Sequence, residues 1–280
     1  MKKGNLVKLG LDSYSYHLAF GCHPDFQPRN PMTLFDFIEK VESLGLDGFQ
    51  IDPMHLPEKS ESYLRDVADF IREKNLFIEY GTIGIEPQNI IEEIRACQIL
   101  GSPILRTFLG FDRFDKNTNI PRELDRAEKQ LRQILPDLAE AKITLAIENH
   151  GDVTSDELVG LIGRLGSPYV GICLDVGNPL AVLEDPVFAA DKMAPFAVTT
   201  HFKDYALEMT NYGFKVSGCV IGDGVIDLDR IFDIIVSRTK LDRLILEIPV
   251  EKEANESDSL KKEEEIIRRS VNFVREKWLI

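Results

Sequence analysis

The sequence predicts a single (β/α)8 TIM barrel domain over residues 1–280. Short apolar runs alternate eight times with longer amphipathic stretches. The runs are rich in Ile, Leu and Val without regular polar alternation, which is typical of parallel strands covered on both faces. Such barrels occupy about 250 residues as one unit, and no linker-like segment divides the chain. A doubly wound open sheet is the alternative architecture that fits the same pattern.

The predicted strands and helices follow one another in strict order. The strands cover residues 7–11, 48–51, 77–78, 104–105, 144–147, 170–174, 196–200 and 244–246. The helices cover residues 33–44, 60–75, 89–100, 122–141, 155–165, 185–193, 228–237 and 260–278. Each return to a parallel strand needs a crossover, which these helices supply.

Local signals support several of these boundaries. Three helices end in Leu-Gly, at 44–45, 100–101 and 165–166, where glycine can take the left-handed conformation that ends a helix. Residues 204–224 are predicted as a long loop, and loops of that length are often functional. The charged stretch 251–265 is predicted as an exposed loop that leads into the last helix.

Composition and charge limit the functional class. Four cysteines lie scattered without CxxC spacing, which predicts free thiols in a reducing, cytoplasmic protein. No apolar run approaches the roughly 18 residues of a membrane helix, and the N-terminus has no secretory signal. A net charge of −14 argues against a nucleic-acid surface. The expected partner is therefore a small molecule, with neither nucleic acid nor membrane involved.

Polar residues follow the strands, where barrel enzymes place their chemistry. All eight runs end on an ionisable residue, namely Asp12, Asp52, Glu79, Arg106, Glu148, Asp175, His201 and Glu247. In the second half, the spacings of 27 and 26 residues match one repeat each, and the 46 residues before the last glutamate include the long loop. Three carboxylates and an imidazole converging at one mouth are suited to a divalent metal ion. Separate helix caps and ion pairs are the alternative interpretation.

Two basic residues are candidates for binding an anion. Lys203 lies two residues beyond His201, so in an extended segment it faces the same side and could neutralise a carboxylate, phosphate or enolate oxygen. Arg106 lies in an apolar run and needs a partner, either an acidic residue across the mouth or an anionic substrate. The turn at 222–224 could present backbone N–H groups to an anion, or be a plain turn.

Three further residues are candidates for substrate contact. His150 follows Glu148 by two positions and could bind substrate, orient the glutamate, or lie exposed in a loop. Tyr14 and His17 follow the first strand and could form an apolar wall with a polar tip, although packing alone would also explain the tyrosine.

Several motifs resemble those of the xylose isomerase-like TIM barrels. The similar segments are AIENHGDVTSDELV (146–159), GICLDVGN (171–178), THFKDY (200–205), IGDGVIDL (221–228) and LILEIP (244–249), with LGLDSYSYH (9–17) and LGLDGFQID (44–52) fitting the first two strands. The resemblance covers nearly the whole chain. Likeness to the ketose 3-epimerase branch implies one metal ion, preferably Mn2+ and otherwise Mg2+, Co2+ or Zn2+. The implied ligands are Glu148, Asp175, His201 and Glu247, and the two glutamates would also move protons.

One position departs from that branch. Asn178 stands where those epimerases carry a histidine that follows the strand-six aspartate by three residues. Asn178 is therefore predicted to face the substrate, and the assignment as an ordinary ketose epimerase is put in question. The resemblance also implies a homodimer or homotetramer, because similar barrels often form these assemblies.

Four functions follow, in order of preference. The first is a metal-dependent isomerase or epimerase of a keto sugar, with Glu148 removing a proton to give an enediolate and Glu247 returning one. The second is a metal-dependent decarboxylase of an oxo-sugar acid, in which Lys203 or Arg106 grips the carboxylate. DSYSYHLAFG, AIENHGD and CVIGDGVI are similar to the 3-oxo-isoapionate decarboxylase group. An endonuclease IV-type repair enzyme would need more than the five histidines present, and a sugar-binding barrel without chemistry would not need the ligand set.

Overall fold

The architecture comes from a computed structural model that describes residues 8–278. Val7, the first residue of the first predicted strand, lies outside the described residues, as do both ends of the predicted domain. The strands are β1 Lys8–Asp12, β2 Gly48–Ile51, β3 Phe77–Gly81, β4 Ile104–Thr107, β5 Thr144–Glu148, β6 Val170–Asp175, β7 Ala197–His201, β8 Tyr205–Thr210, β9 Gly213–Gly218 and β10 Arg243–Leu246. The helices are α1 His17–Phe20, α2 Leu34–Ser43, α3 Glu61–Glu73, α4 Pro87–Leu100, α5 Ile120–Ala141, α6 Ser155–Leu165, α7 Pro186–Met193, α8 Leu228–Arg238 and α9 Glu256–Trp278.

Eight of these strands form one parallel sheet that curves into a barrel. Their order is β10-β1-β2-β3-β4-β5-β6-β7, so the last strand in sequence pairs with the first. β7 and β10 meet at a parallel bridge between Phe202 and Leu246, where Phe202 N–H donates to the Ile245 carbonyl at 2.8 Å. The predicted (β/α)8 barrel is confirmed, and the open sheet is excluded because its two edge strands would not meet.

Helix ends follow the local chemistry of the sequence. Thr33 and Thr154 begin α2 and α6 with capping boxes, in which the threonine oxygen accepts from a backbone N–H three residues later. The predicted glycine stops are confirmed, since Gly45, Gly101 and Gly166 have φ angles of 66°, 78° and 58°. The apolar faces of these helices pack on the outside of the barrel and form one continuous core with the strands.

Two sequence expectations about loops were wrong in part. Residues 205–218 of the predicted long loop form an antiparallel hairpin, β8–β9, whose strands join through a two-residue turn at 211–212. The helix α9 begins at Glu256, four residues earlier than predicted, because the Asn255 side chain accepts from Asp258 N–H and caps it. The charges in this stretch therefore belong largely to a solvated helix face and not to a loop.

The described residues bear on two further expectations. Cys22, Cys97, Cys173 and Cys219 are all free thiols, as predicted. Within residues 8–278, no helix combines the length and the apolar character that crossing a bilayer requires.

Candidate metal centre

Four polar side chains converge at the carboxyl ends of the second-half strands. Glu148 ends β5, Asp175 ends β6, His201 ends β7 and Glu247 directly follows β10. The parallel register places Asp175 beside His201 across β6 and β7. One donor atom from each of the four residues lies within 4.8 Å of the others, and all four residues are buried. The predicted convergence of this set is therefore present in the structure.

The orientation of His201 is fixed by Gln50. Nε2 of His201 lies 2.8 Å from Gln50 Oε1, which can only accept, so Nε2 carries the proton. Nδ1 then faces the carboxylates, at 3.3 Å from Glu148 Oε1, 3.3 Å from Glu247 Oε2 and 3.8 Å from Asp175 Oδ2. Burial opposes charging of this imidazole, but the neighbouring Cys173, Glu247 and Glu148 outweigh it and raise its pKa. A metal ion would displace the Nδ1 proton and take up the lone pair that faces the centre of the cluster.

The donor atoms of this cluster lack hydrogen-bond partners within residues 8–278. The unpartnered buried atoms are Glu148 Oε2, Asp175 Oδ2, His201 Nδ1 and Glu247 Oε2. Buried polar atoms are nearly always hydrogen-bonded, and converging carboxylates repel one another. A divalent cation would compensate the carboxylates that meet here, and carboxylates with one imidazole suit such an ion. The residues present therefore fit the implied metal.

Burial and charge act in opposite directions on the ionisable groups here. Burial raises the pKa of Asp175 to about 6 and that of Asp12 to about 7. Burial also opposes ionisation of Glu148, but the neighbouring His201 and Arg106 outweigh it and lower its pKa to about 2. Burial therefore outweighs the neighbouring cations at Asp12 and Asp175, whereas at Glu148 the cations outweigh burial.

Lys203 lies in the cluster as the sequence predicted. Its buried Nζ is 2.7 Å from Asp175 Oδ2 and also contacts Glu247 Oε2, as ion pairs without hydrogen-bond geometry. Gly177 leaves room for the lysine stem, because a Cβ at this position would lie 2.8 Å from Lys203 Cγ and 2.5 Å from the Tyr205 ring. Lys203 therefore faces the same side of the barrel as His201.

Arg106 finds its partners within the protein. Its Nη2 lies 3.1 Å from Asp52 Oδ2 and 3.9 Å from Asp12 Oδ2. Its Nε donates to Gln50 Oε1 at 3.1 Å and lies 3.5 Å from Glu148 Oε2. Of the two partners predicted for this arginine, the acidic residues across the mouth are those observed.

Asn178 lies at the edge of the ligand set. Its Nδ2 donates to Glu148 Oε1 at 3.0 Å. The backbone N–H groups of Gly177 and Asn178 both donate to Asp175 Oδ1 at 2.8 Å, which leaves Oδ2 of that carboxylate directed at the cluster. The short turn after β6 therefore aims two of the predicted ligands.

The remaining predicted contacts line the rim of the barrel. The Tyr14 and His17 rings stack at 4.8 Å, and burial lowers the pKa of His17. His150 is exposed and stacks on Phe108 at 4.2 Å, and within the described residues no hydrogen bond links it to Glu148. Substrate contact by these three predicted residues stays a prediction.

The glycine turn at 222–224 binds an anion that belongs to the protein itself. The N–H groups of Gly222 and Gly224 both donate to Asp204 Oδ2 at 3.0 Å. The Asp204 carboxylate also accepts from Tyr205 N–H at 2.9 Å. This turn therefore fastens the base of the β8–β9 hairpin.

Two supporting residues were not identified from the sequence. Gln50 holds both His201 and Arg106 and donates through Nε2 to Glu79 at 3.0 Å. Asn149 exchanges two 2.9 Å hydrogen bonds with the backbone of Asp175, which ties the end of β5 to β6. The available signal for Gln50 was that it interrupts the apolar run of β2. Nothing in the sequence distinguished Asn149 from an ordinary loop residue.

Comparison with known proteins agrees with this fold. The family described as xylose isomerase-like TIM barrel matches residues 38–277. The chain belongs to this family. Among relatives of this xylose isomerase-like barrel, a 3-oxo-isoapionate decarboxylase from Pectobacterium atrosepticum is 27% identical over 271 residues, covering 96% of this chain and 95% of the relative.

Solved structures share the fold at lower sequence identity. A D-psicose 3-epimerase crystallised in the presence of D-fructose is 16% identical, with a TM-score of 0.72 over 96% of this chain and 98% of that one. The IolI protein with a bound zinc atom is 14% identical, with a TM-score of 0.72 over 95% and 98% of the two chains. These likenesses establish the xylose isomerase-like fold.

Proposed function

We propose that this protein is a metal-dependent decarboxylase of an oxo-sugar acid. The observation that carries the proposal is the Lys203 ammonium group beside a set of three carboxylates and an imidazole in one barrel mouth. A 3-oxo acid would use both features, because the lysine can bind its carboxylate and the four residues can hold a metal beside its carbonyl. Arg106 and Lys203 both pair with the protein's own carboxylates. Because both partners of Lys203 are proposed metal ligands, a bound ion would take over their charge and release the ammonium group for a substrate carboxylate.

Two further observations favour decarboxylation over epimerisation, which the sequence alone had placed first. The decarboxylase relative is 27% identical to this chain, whereas the epimerase structure is 16% identical and similar at fold level. Asn178, which bonds Glu148, cannot take or give a proton as the histidine of the epimerase branch could.

The proposed metal is held by Glu148, Asp175, His201 and Glu247. A bound divalent ion would act as a Lewis acid on the substrate carbonyl. We favour Mn2+ because three carboxylates and one imidazole form a predominantly hard ligand set. Zn2+ is the alternative, since one similar structure holds it.

The protein's own residues account for the remaining steps. Lys203 holds a substrate carboxylate that is separated from the carbonyl by one carbon, so that the bond between the carboxylate and this carbon can break. The electron pair of that bond moves towards the carbonyl oxygen, CO2 leaves, and one proton returns to the carbon. Glu247, which contacts Lys203, is placed to relay that proton from solvent.

A second candidate is the isomerase or epimerase reaction. It is favoured by the two glutamates, since Glu148 and Glu247 each have a buried oxygen without a hydrogen-bond partner in the described chain. Glu148 would remove the proton between a carbonyl and a hydroxyl, and Glu247 would return it to the other face or to the neighbouring carbon. This reaction needs no cation for a carboxylate, so Lys203 would instead neutralise the enediolate oxygen.

Proton NMR in D2O separates the two reactions. The Mn2+-loaded enzyme is mixed with ketoses, ketose phosphates and oxo-sugar acids, and the metal is removed before spectra are recorded. We expect an oxo-sugar acid to lose its carboxylate and gain deuterium at that carbon. Deuterium beside a carbonyl with the carbon skeleton intact would instead establish the isomerase or epimerase.

The Lys203→Met variant tests the role of the lysine. We expect CO2 release to fall about 100-fold or more, the usual range for a group that acts in the transition state. Metal content after dialysis should stay near one ion per chain. An unchanged rate on oxo-sugar acids would contradict the proposal, and Lys215→Met, which removes an exposed lysine on the hairpin, is the matched control.

A further inference from the structure

A separate cavity of about 300 Å3 lies between the loops that follow β4 and β5. Aromatic rings form much of its wall, contributed by Phe108, Phe111, Phe114 and His150. None of the four metal ligands lines it. Phe108 and His150 nevertheless lie only two residues beyond Arg106 and Glu148 in the chain, which places the cavity beside the metal centre.

The aromatic wall is preformed and partly open to solvent. The Phe108 and His150 rings stack with centroids 4.2 Å apart and planes 15° from parallel. Phe114 is 69% exposed, which is unusual for a large apolar ring. Aromatic faces of this kind pack well against the C–H face of a hydroxylated ring, and sites of this size take small molecules.

Cross-links between the two loops hold the cavity in shape. Arg113 donates to both carboxylate oxygens of Glu157, at 2.6 and 3.2 Å, and to the Asp152 carbonyl at 3.2 Å. Gly110 N–H donates to Asp152 Oδ2 at 2.8 Å. A ligand would therefore meet an ordered wall, and little conformational entropy would be lost on binding.

The charges around the cavity are unfavourable for an anion. Arg113 is neutralised by Glu157, while Asp112 and Asp152 contribute carboxylates. Asp152 is buried, and its Oδ1 has no hydrogen-bond partner among residues 8–278. An unpartnered buried acceptor is satisfied by a donor such as a hydroxyl group.

We infer that this cavity is a subsite for a neutral, hydroxylated ring joined to the reacting part of the substrate. The inference rests on the proposed function and adds the substrate class, which is an oxo-sugar acid extended by a second uncharged ring such as a glycosidic sugar. A terminal phosphate would be disfavoured at this position, because it would meet two carboxylates and no free cation among the lining residues.

Saturation-transfer NMR on the metal-free protein tests the subsite without any turnover. The probes are methyl β-D-glucoside, as a neutral ring, and glucose 6-phosphate, as its charged counterpart. We expect the glucoside to bind and the phosphate not to compete with it. Equal binding of the phosphate, or no binding of the glucoside, would overturn the inference.

Matched variants locate the binding. Phe114→Ala should weaken glucoside binding about five-fold or more, since stacked aromatic contacts contribute about 1 kcal/mol. Phe188→Ala removes a similarly exposed ring on α7 and should leave binding unchanged. Asp152→Asn keeps an acceptor for Gly110 N–H and tests the unpartnered oxygen, with a smaller loss expected. Equal binding by the Phe114 and Phe188 variants would also overturn the inference.

These outcomes are distinguishable from those for the proposed function. Binding is measured in chelator, so it is independent of the metal and of CO2 release. A protein that releases CO2 but fails to bind the glucoside retains the proposed function and loses the subsite. A protein that binds the glucoside without decarboxylating any oxo-sugar acid retains the subsite and loses the proposed function.

Discussion

The two halves of the barrel mouth carry similar residues but pair them differently. At the ends of β1, β2 and β4, the acidic residues Asp12 and Asp52 surround Arg106. At the ends of β5, β6, β7 and β10, one donor atom from each of the four proposed ligands lies within 4.8 Å of the others. Lys203 pairs with Asp175 and Glu247 there, so both halves contain buried ion pairs. In the first half an arginine occupies the centre of the acidic residues, whereas in the second half the donor atoms meet and the lysine lies beside them. The convergence of donor atoms, and not residue type, separates the structural half from the proposed metal site.

The two halves are joined by one side chain. Gln50 Oε1 accepts from Arg106 Nε and from His201 Nε2, and Gln50 Nε2 donates to Glu79. The Glu79 carboxylate in turn accepts from the Thr199 hydroxyl at 2.7 Å. Through this chain, the paired half fixes the orientation of the imidazole in the other half, and variants in each half should therefore fail in different ways.

The largest effect is expected for Glu247→Gln in the second half. We expect activity to fall about 1,000-fold, within the range for loss of a proton-transfer group, and bound metal to be lost on dialysis. The free energy of unfolding of the metal-free protein should fall as well, because the variant leaves the buried Lys203 ammonium group paired with Asp175 alone. Metal analysis and chemical denaturation in chelator check both points, and metal retention at one ion per chain would argue against this residue as a ligand.

Arg106→Met in the first half should lower the free energy of unfolding while the four proposed ligands stay in place. Removing the arginine leaves Asp12, Asp52 and Glu148 with less compensation, and breaking a buried ion pair costs about 3–5 kcal/mol. The free energy of unfolding measured in urea should fall by this amount with or without metal. Arg95→Met, which removes an exposed arginine on α4, is the control and should leave the unfolding midpoint unchanged. A loss of activity without any loss of stability would contradict the structural role.

The two halves also differ in how well they could be predicted from the sequence, because repeat spacing is visible in a sequence and pairing partners are not. Glu148, Asp175 and His201 recur at the spacing of one repeat, and parallel strands place such residues at one edge, so their convergence was predictable. Arg106 was ambiguous, because its partners come from two other strands and their approach depends on how the barrel closes. Gln50 was missed because a single polar residue in an apolar run has no periodic signal.

The hairpin shows a second limit of the sequence. Leu207 pairs with Val216 and Met209 with Phe214, so the apolar residues of β8 and β9 share one face. All four side chains are exposed. Strands whose apolar face stays exposed among the described residues resemble an irregular loop in the sequence. Residues 205–218 were therefore predicted as loop.

Gln50→Leu tests the link between the halves and should have an intermediate effect. The imidazole would lose the acceptor that fixes its proton on Nε2, and loss of such a supporting contact typically lowers metal affinity about 10- to 100-fold. Mn2+ affinity can be measured by electron paramagnetic resonance of the free ion. Ser62→Leu, on an exposed position of α3, serves as a control for the substitution itself. Unchanged affinity would mean that His201 is oriented by its own strand.

The smallest effect is expected for Asn178→Ala. The companion variant Asn178→His separates the two reactions proposed for this site. The variant removes the 3.0 Å hydrogen bond to Glu148 Oε1. Asn178 is only half-buried, so we expect the lower end of the range for a bond to a charged acceptor, about 1.5 kcal/mol, equivalent to a loss of activity of about 10-fold. Asn178→His restores a donor and also supplies a group that can exchange protons near neutral pH. If the native enzyme is a decarboxylase, the histidine variant should recover part of the CO2 release and gain no exchange of a proton beside the carbonyl. Exchange that exceeds CO2 release in this variant, measured by NMR in D2O, would show that the site needs only one imidazole to become an epimerase, and that Lys203 does not determine the reaction.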